Sequence, residues 1–386
     1  MKKILKNLDK PLLVISLILF IIGLIMIFSA SNITAFMKYS ASPQYYFLKQ
    51  GIILIASFIL CLFIIPFHSK SYHLFSTLGI YAIGAVLTLL LIYGSVKNKA
   101  ISWIDLGFFS IQPSEFAKII AIVWIASYYE LNKQRLDSYL VVLYPIFICG
   151  IIAGLIFVQP DLGTTIIFTI IVASLFFMTP ISKEIRNKAL LLLAGAIILF
   201  IIIFTSNGSS LLSERQKQRF DFTTPCSQEK FYSYGNQVCN SFIAINNGGL
   251  TGVGLGNSTQ KYLYLPEAHT DFIFSIIMEE LGFTGAIAII ILYFLLIGRI
   301  IKIAKQSYNI RGFLICMGVA IYIMLHVIVN LGGVFGLMPM TGVPLPFMSY
   351  GGSFAMCLVL SLCFVQRIQV DNQQFYEKMQ KKTSKS

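Results

Sequence analysis

Two carboxylates and an imidazole stand directly before a long apolar run of this chain. Glu267, His269 and Asp271 fall within five residues, and the apolar run begins at Phe272. Ionisable groups at the edge of a hydrocarbon layer are costly to place there and commonly serve function. A carboxylate in this position could act as a general base toward a hydroxyl group, so Asp271 is the leading catalytic candidate. A helix N-cap is the structural alternative for Asp271.

The glycine-rich stretch before this cluster does not indicate a nucleotide site. Its sequence, GGLTGVGLG at 248–256, follows no strand pattern and lacks the GK[ST] ending of a phosphate-binding loop. Tight turns or close backbone approach explain the glycines better, and we expect no nucleotide cofactor. Glu279 and Glu280 lie two helical turns into the apolar run, where no cap requires them, so Glu280 is a candidate for substrate contact.

Polar residues near the ends of other apolar runs add to this set. Glu115 and Lys118 are spaced to share one face of a helix, either as an ion pair that makes both charges tolerable or as the lining of a polar cavity. Trp103 is either an ordinary interface aromatic or a site residue. Asp161 belongs to the turn-forming sequence QPDLG, so it either satisfies its own backbone or contributes to the site.

The hydrophilic segment 206–271 carries a basic cluster and two cysteines. Arg215 and Arg219 belong to the cluster, which is either solvated charge or a site for a lipid pyrophosphate, because guanidinium groups match phosphate oxygens in pairs. Cys226 and Cys239 would form a disulfide in an oxidising compartment. Two unpaired thiols or a metal site are the alternatives for these cysteines.

The composition indicates which elements must position these groups. Of the 386 residues, 57% are hydrophobic and 12% are charged, and the mean hydropathy is +0.80, outside the range of soluble globular chains. Apolar runs predict an all-α polytopic membrane protein with ten transmembrane helices in one integral domain, 1–386. A cleaved signal peptide is the alternative for the first run, but its apolar core is longer than usual. The predicted spans are 11–31, 51–66, 74–94, 114–130, 139–158, 164–179, 189–205, 272–298, 312–331 and 351–368.

The distribution of Lys and Arg orients these spans. Basic residues concentrate in the segments that share one side if both termini are cytoplasmic, as the positive-inside bias requires. The large loop 206–271 and the other loops rich in unusual polar residues then lie outside the cytoplasmic membrane, and 369–386 is a cytoplasmic tail. The net charge of +13 follows from this topology, so we expect a membrane and no nucleic acid as partner.

One further segment, 330–352, cannot be a single regular helix. Pro339, Pro344 and Pro346 stand among glycines there, and proline removes a helical hydrogen bond. Broken backbone at membrane depth must be buried in protein or line a cavity. We therefore predict broken or re-entrant segments among the spans.

An outward-facing cavity without access to ATP restricts the chemistry. The substrate must already carry its leaving group, and a lipid-linked pyrophosphate sugar meets this requirement. Asp271 would take the proton of a sugar hydroxyl. Lys118, Arg215 or Arg219, with a divalent cation (Mg²⁺ or Mn²⁺), would stabilise the departing pyrophosphate. The sequence does not identify protein ligands for the metal.

Four blocks of the chain resemble the signature segments of the SEDS family, the FtsW/RodA/SpoVE-type membrane proteins. The resemblance implies a ten-span peptidoglycan glycosyltransferase that polymerises lipid II at the outer face of the bacterial cytoplasmic membrane. It also implies that Asp271 is the catalytic residue. The blocks are SWIDLGFFSIQPSEFAK (102–118), QPDLGTT (159–165), AINNGGLTGVGLGNSTQKYLYLPEAHTDFIFSIIMEELG (244–282) and GLMPMTGVPLPFMSYGGS (336–353).

The same resemblance extends to substrate contacts and partners. It implies work with a class B penicillin-binding protein, which cross-links the new strands, and with other division proteins. The substrate-binding candidates from these blocks and from the basic cluster are Trp103, Glu115, Lys118, Asp161, Arg215, Arg219, Glu267, His269, Glu280 and Ser349.

Residues 223–239 depart from the family pattern, which is shorter there and lacks cysteines. The third and fourth blocks are closer to the cell-division branch, with a septal location, than to the elongation or sporulation branches. A lipid II flippase or transporter is the rival hypothesis, for which we find no inverted sequence repeat. A non-catalytic scaffold of the division machinery is a third hypothesis.

Overall fold

The structure is a computed structural model that describes residues 2–93, 102–105, 107, 110–206, 224–227 and 235–384. Helices dominate these ranges, as expected of a chain whose apolar runs must satisfy their backbone groups internally. The helices are α1 (Lys2–Lys6), α2 (Lys10–Tyr39), α3 (Tyr45–Ile64), α4 (Tyr72–Tyr93), α5 (Pro113–Leu131), α6 (Tyr139–Val158), α7 (Leu162–Met178), α8 (Lys183–Ser206), α9 (Asn236–Gly248), α10 (Ile273–Lys305), α11 (Ile310–Val334) and α12 (Gly352–Thr383).

A short hairpin precedes α5. Its strands, β1 (Ile104–Asp105) and β2 (Ser110–Ile111), pair antiparallel, with Ile104 opposite Ile111. Two single 3₁₀ turns, Ser69–Ser71 and Lys133–Arg135, precede α4 and α6. The predicted all-α class is therefore confirmed, with this hairpin as a small addition.

Each predicted span falls on one of the described helices. Seven helical segments are long and apolar enough to cross a membrane, which confirms a polytopic membrane protein. Helix α7 is shorter, with 17 residues, and α5 carries Glu115, Lys118 and Glu130. The count of ten spans stays a prediction. The seven segments are Lys10–Met37, Tyr45–Ile64, Ser69–Tyr93, Tyr139–Val158, Ile273–Lys305, Ile310–Val334 and Gly352–Thr383.

Helices α5 and α11 form the centre of the bundle. Small residues let them approach closely, because a Cβ placed on Gly318 of α11 would lie 2.6 Å from Cγ2 of Ile122 on α5. Ala117, Ala121 and Ala126 of α5 are completely buried. The side chains on these two helices are thus enclosed by protein, and their polar members must find partners inside the bundle.

The glycine-rich loop inserts into a break in α10. Gly282 has φ 69° and ψ −175°, so the helix is interrupted there. The N–H groups of Val253 and Gly254 donate to the carbonyls of Glu279 and Glu280 at 2.9 and 3.1 Å. A Cβ on Gly252 would lie 2.3 Å from the Glu280 carbonyl oxygen, so close approach explains this glycine. The prediction of close backbone approach is confirmed here, whereas the break in α10 was not predicted. The predicted irregular segment lies between Val334 and Gly352, where no helix is present, so 330–352 is not a single helix.

The two chain termini meet at the end of the bundle opposite the α10 start. Asp9 caps α2 and pairs with Arg299 of α10 at 2.6 Å. Its N–H donates to Oε1 of Gln366 on α12 at 2.8 Å. On the same helix, Arg367 pairs with Asp371 at 2.5 Å. We call this end the terminal end, and side chains of three helices tie it together.

Candidate active site

Asp271 ends the loop that leads into α10. The helix begins at Ile273 with Phe272 as its N-cap residue and with no side-chain cap, so the N-cap alternative for Asp271 is wrong. The Asp271 side chain is half-buried. Its backbone carbonyl accepts a hydrogen bond from Nδ2 of Asn330 at 2.8 Å. The carboxylate therefore reaches the protein surface while α11 fixes its backbone.

The segment 335–351 holds the residues before this carboxylate. Oγ of Ser349 donates to the Thr270 carbonyl at 2.6 Å. The Tyr350 N–H donates to the His269 carbonyl at 2.9 Å. Ser349 is buried, so its observed role is to fix the loop, and its contact with substrate stays a prediction.

Two glycines bring separate blocks of the sequence to the carboxylate. Gly342 has φ +74°, and a Cβ placed on it would lie 3.4 Å from Oδ2 of Asp271. Gly163 is the last residue of the QPDLG sequence, and a Cβ placed there would lie 2.9 Å from Cγ2 of Val343. The second, third and fourth blocks thus meet at Asp271, although they lie far apart in the chain.

Asp161 serves both its own helix and the first block. Oδ1 accepts the Thr164 N–H at 3.1 Å, which makes Asp161 the N-cap of α7 and confirms the turn interpretation. Oδ2 accepts Nε2 of Gln112 at 2.8 Å. The Gln112 N–H donates in turn to Oγ of Ser353 at 3.0 Å. A direct contact of Asp161 with substrate stays a prediction.

Glu115 and Lys118 form the predicted ion pair inside the bundle. Nζ of Lys118 lies 2.8 Å from Oε1 of Glu115 and 3.0 Å from Nε2 of His326. The two side chains of the pair are 3% and 1% exposed. The ion pair is therefore confirmed, while the cavity-lining role would require access that these buried groups lack in this conformation.

Three other candidates lie around the loop. The His269 ring packs against the rings of Tyr46 and Tyr350, with centroids 4.5 and 5.8 Å away, and is buried. Glu267 is exposed with φ +56°, and Trp103 is 38% exposed beside the hairpin. Glu267 and Trp103 are accessible to a ligand, whereas His269 contributes to the aromatic packing behind the loop.

Glu280 lies in a closed network and not on the surface. It pairs with Lys261 at 2.9 Å and accepts Oγ of Ser29 at 2.7 Å, and the residue is 1% exposed. Glu279 accepts the backbone N–H of Thr259 at 3.2 Å. These two carboxylates attach the loop before Asp271 to α10 and α2. The predicted contact of Glu280 with substrate is untested, and its observed contacts are structural.

Of the candidates in the large loop, the structure describes the two cysteines but not the arginines of the basic cluster. Arg215 and Arg219 lie outside the described residues. Cys226 and Cys239 are joined, with their Cα atoms 5.0 Å apart, which confirms the predicted disulfide. The bond ties residues 224–227 to α9, a helix within the predicted loop 206–271 that the sequence did not predict.

Sequence reasoning missed several residues that support the site. His326 and Asn330 are polar residues four apart in an otherwise apolar run, and this spacing was the available signal. Lys261, Ser29 and Gln112 carried no such signal, since their partners are distant in sequence. Among the described residues, no group of three His, Cys, Asp or Glu side chains is placed to hold a metal ion.

A family model described as "Cell cycle protein", FTSW_RODA_SPOVE, matches residues 10–374. The chain belongs to the FtsW/RodA/SpoVE family. Among relatives of this family member, a Bacillus subtilis (strain 168) protein named "Probable peptidoglycan glycosyltransferase FtsW" is 36% identical over 96% of this chain and 92% of its own. A Coxiella burnetii protein of the same name is 34% identical over 95% of this chain and 97% of its own. The "Stage V sporulation protein E" of B. subtilis is 35% identical over 92% of this chain and 94% of its own.

Solved structures share the fold of this FtsW/RodA/SpoVE-family protein. A chain from "Structural coordination of polymerization and crosslinking by a peptidoglycan synthase complex" has a TM-score of 0.73 and 23% identity, and the match covers 95% of this chain and 99% of that one. The Thermus thermophilus rod shape determining protein RodA has a TM-score of 0.65 and 22% identity, and the match covers 95% of this chain and 97% of that one. This chain therefore shares its overall fold with both structures.

Proposed function

We propose that this chain is a peptidoglycan glycosyltransferase that polymerises lipid II into glycan strands. The names of its FtsW relatives state a probable peptidoglycan glycosyltransferase activity. One observation carries the proposal. Asp271 presents a half-buried carboxylate whose backbone is held by Asn330 and whose neighbouring residues are held by Ser349 and Tyr350. A base fixed in this way can accept a proton without losing its position.

The proposed reaction joins two lipid II molecules. The Asp271 carboxylate accepts the proton from the 4-hydroxyl of one GlcNAc as that oxygen forms a bond to the anomeric carbon of the other molecule's MurNAc. The bond from this carbon to the pyrophosphate oxygen breaks, and its electron pair leaves with undecaprenyl pyrophosphate. The configuration at the anomeric carbon is inverted.

The departing pyrophosphate requires positive charge. Lys118 is a buried cation of α5 that could serve only in a conformation open to the substrate, and Arg215 and Arg219 are further candidates from sequence. A divalent cation held by pyrophosphate needs only one or two protein ligands, which the sequence does not identify. Such an ion would neutralise charge on the leaving group.

The test uses the purified full-length chain with labelled lipid II and Mg²⁺, with and without a class B penicillin-binding protein. Replacing Asp271 by Asn keeps the size of the side chain and removes the base. We expect polymer from the wild type. The rate of Asp271→Asn should be reduced by at least about 100-fold, because general base catalysis typically contributes this much or more. Asp137→Asn, an exposed carboxylate before α6, is the matched control and should keep full activity.

Two outcomes would contradict the proposal. Equal polymer from the wild type and Asp271→Asn would remove the base role. If neither protein makes polymer, with or without the penicillin-binding protein, the glycosyltransferase proposal fails and the transport and scaffold hypotheses remain. A transporter would have to open the terminal end, which the Asp9–Arg299 ion pair and the hydrogen bond from the Ser69 N–H to Asp371 hold together in this structure.

We further propose a cellular setting. The basic residues support an orientation with both termini in the cytoplasm and Asp271 at the outer face. The FtsW names of several relatives support a role in septal wall synthesis, while the similar identity to Stage V sporulation protein E keeps the sporulation branch as the alternative. The synthase complex that shares this fold supports a cross-linking transpeptidase as partner.

A further inference from the structure

Helix α11 carries a buried polar stripe that begins at the site. Tyr322, His326 and Asn330 are spaced four residues apart, so they lie on one face of the helix. Their exposed fractions are 0%, 0% and 3%. Asn330 donates to the Asp271 carbonyl, so the stripe runs from the catalytic candidate into the bundle. Burying polar groups in a membrane span costs free energy, so such groups usually have a structural or functional role.

The contacts of His326 fix where its proton lies. Nδ1 is 2.8 Å from the carbonyl oxygen of Tyr322. A carbonyl can only accept, so Nδ1 carries the hydrogen. In the neutral ring Nε2 is then an acceptor, and it receives a hydrogen bond from Nζ of Lys118 at 3.0 Å. His326 therefore acts here as a neutral acceptor for a buried ammonium.

This contact restrains a flexible cation. The four-carbon stem of lysine gives Nζ a wide range of positions unless acceptors fix it. Lys118 has two such acceptors, Oε1 of Glu115 on its own helix and Nε2 of His326 on α11. Its Nζ also lies 5.6 Å from the centre of the Tyr322 ring. The His326 hydrogen bond and the Tyr322 ring contact both connect Lys118 to α11, the helix whose Asn330 also holds the Asp271 backbone.

Two buried oxygen atoms beside the Glu115–Lys118 pair could form further hydrogen bonds. Oε2 of Glu115 and Oγ of Ser114 are buried without a hydrogen-bond partner in the described chain. Buried polar atoms normally have a protein or water partner, so these two oxygens retain the capacity for one further hydrogen bond each. The titratable groups in contact with His326 are Lys118 of α5 and Tyr322 of α11.

We propose that His326 is a positioning residue that holds Lys118 at a fixed place relative to Asp271. This inference rests on the proposed glycosyltransferase function, in which Lys118 stabilises the leaving group. His326 and Asn330 are four residues apart, which is about 6 Å along the helix axis. Helix α11 thus sets the spacing between cation and base through two side-chain hydrogen bonds.

The experiment compares His326→Gln with His326→Leu in the purified full-length chain. Glutamine can accept from Lys118 through Oε1 and donate to the Tyr322 carbonyl through Nε2, whereas leucine fills the space without an acceptor. We expect His326→Gln to keep kcat within about 3-fold of the wild type. His326→Leu should lower kcat by about 10- to 100-fold at unchanged KM for lipid II, because a hydrogen bond to a charged group is lost.

Thermal melting in detergent separates positioning from folding. The inference requires that Gln restores activity and that any loss in His326→Leu appears in kcat at a temperature where both variants are folded. Equal kcat for Leu and wild type would overturn it, as would equal losses for Gln and Leu. A wild type without polymer would overturn the proposed function as well, so the two failures are distinguishable.

Discussion

The buried Lys261–Glu280 pair connects a loop residue to α10 at 2.9 Å, with both side chains at most 1% exposed. Removing one partner leaves the other charge buried and uncompensated, which is far more costly than removing both. The pair is therefore a direct probe of how firmly the loop before Asp271 is attached.

We predict that Lys261→Met destabilises the protein by about 3–5 kcal/mol. The double replacement Lys261→Met with Glu280→Leu should regain most of this loss, because no isolated charge remains. Thermal unfolding of the purified protein measures both. Lys188→Met breaks the exposed Lys188–Glu184 pair and serves as the control, which should melt like the wild type. A single variant as stable as that control would contradict the prediction.

Residues of the site were predictable only where the signal was local. The Glu115–Lys118 pair follows from a three-residue spacing, and Asp271 follows from its place before an apolar run. The acceptor role of His326 depends on how α11 packs against α5, which no local pattern specifies. The closed network around Glu280 likewise needs Ser29, which lies 251 residues away in the chain.

At the level of elements, the glycine-rich loop and the break in α10 form one unit. The loop supplies hydrogen bonds that the helix lacks where Gly282 interrupts it, and backbone passes within contact distance of backbone. Position 252 tolerates no side chain, whereas position 256 faces open space at a similar φ of +85°. The two glycines therefore separate the effect of contact from the effect of conformation.

We predict that Gly252→Ala greatly reduces polymerase activity and thermal stability, because its Cβ would collide with the Glu280 carbonyl 2.3 Å away. Gly256→Ala carries the same conformational strain without the collision, and should lose only about 1 kcal/mol. Melting temperature and polymer yield measure the difference. If the two alanine variants behave alike, close packing of loop on helix is not what these positions require.

The sequence predicted the helices of the bundle better than their interruptions. Long apolar runs place every predicted span on a helix, because membrane insertion depends mainly on composition. However, α2, α10 and α12 continue seven to fifteen residues beyond the predicted ends. The helix α9 and the loop insertion depend on contacts with α10, so they could be anticipated only as glycine and proline signals.

At the scale of the whole molecule, the terminal end is closed by contacts between distant parts of the chain. Helix α12 continues to Thr383, beyond the predicted span 351–368, and its residues Gln369 to Asn372 are buried. Asp371 binds Arg367 and accepts the Ser69 N–H at 3.1 Å. The first part of the predicted tail is thus part of the folded body, which its polar composition concealed.

We predict that truncation after Asn372 leaves a folded, active protein, whereas truncation after Ile368 does not. The shorter chain loses Asp371, the partner of a buried arginine, and uncovers the surface beneath it. Yield of monodisperse protein in detergent and its melting temperature distinguish the two chains. Equal behaviour would mean that the buried part of the tail does not support the bundle.

The close contact between Gly252 and Gly282 also limits which substitutions can be accepted at these two positions during evolution. A Cβ on Gly282 would lie 2.3 Å from the Gly252 nitrogen, so neither position can gain a side chain while the other backbone stays in place. A lineage that replaced one would have to remodel the loop as a unit. Descendants of this architecture should therefore keep both glycines together or lose both together.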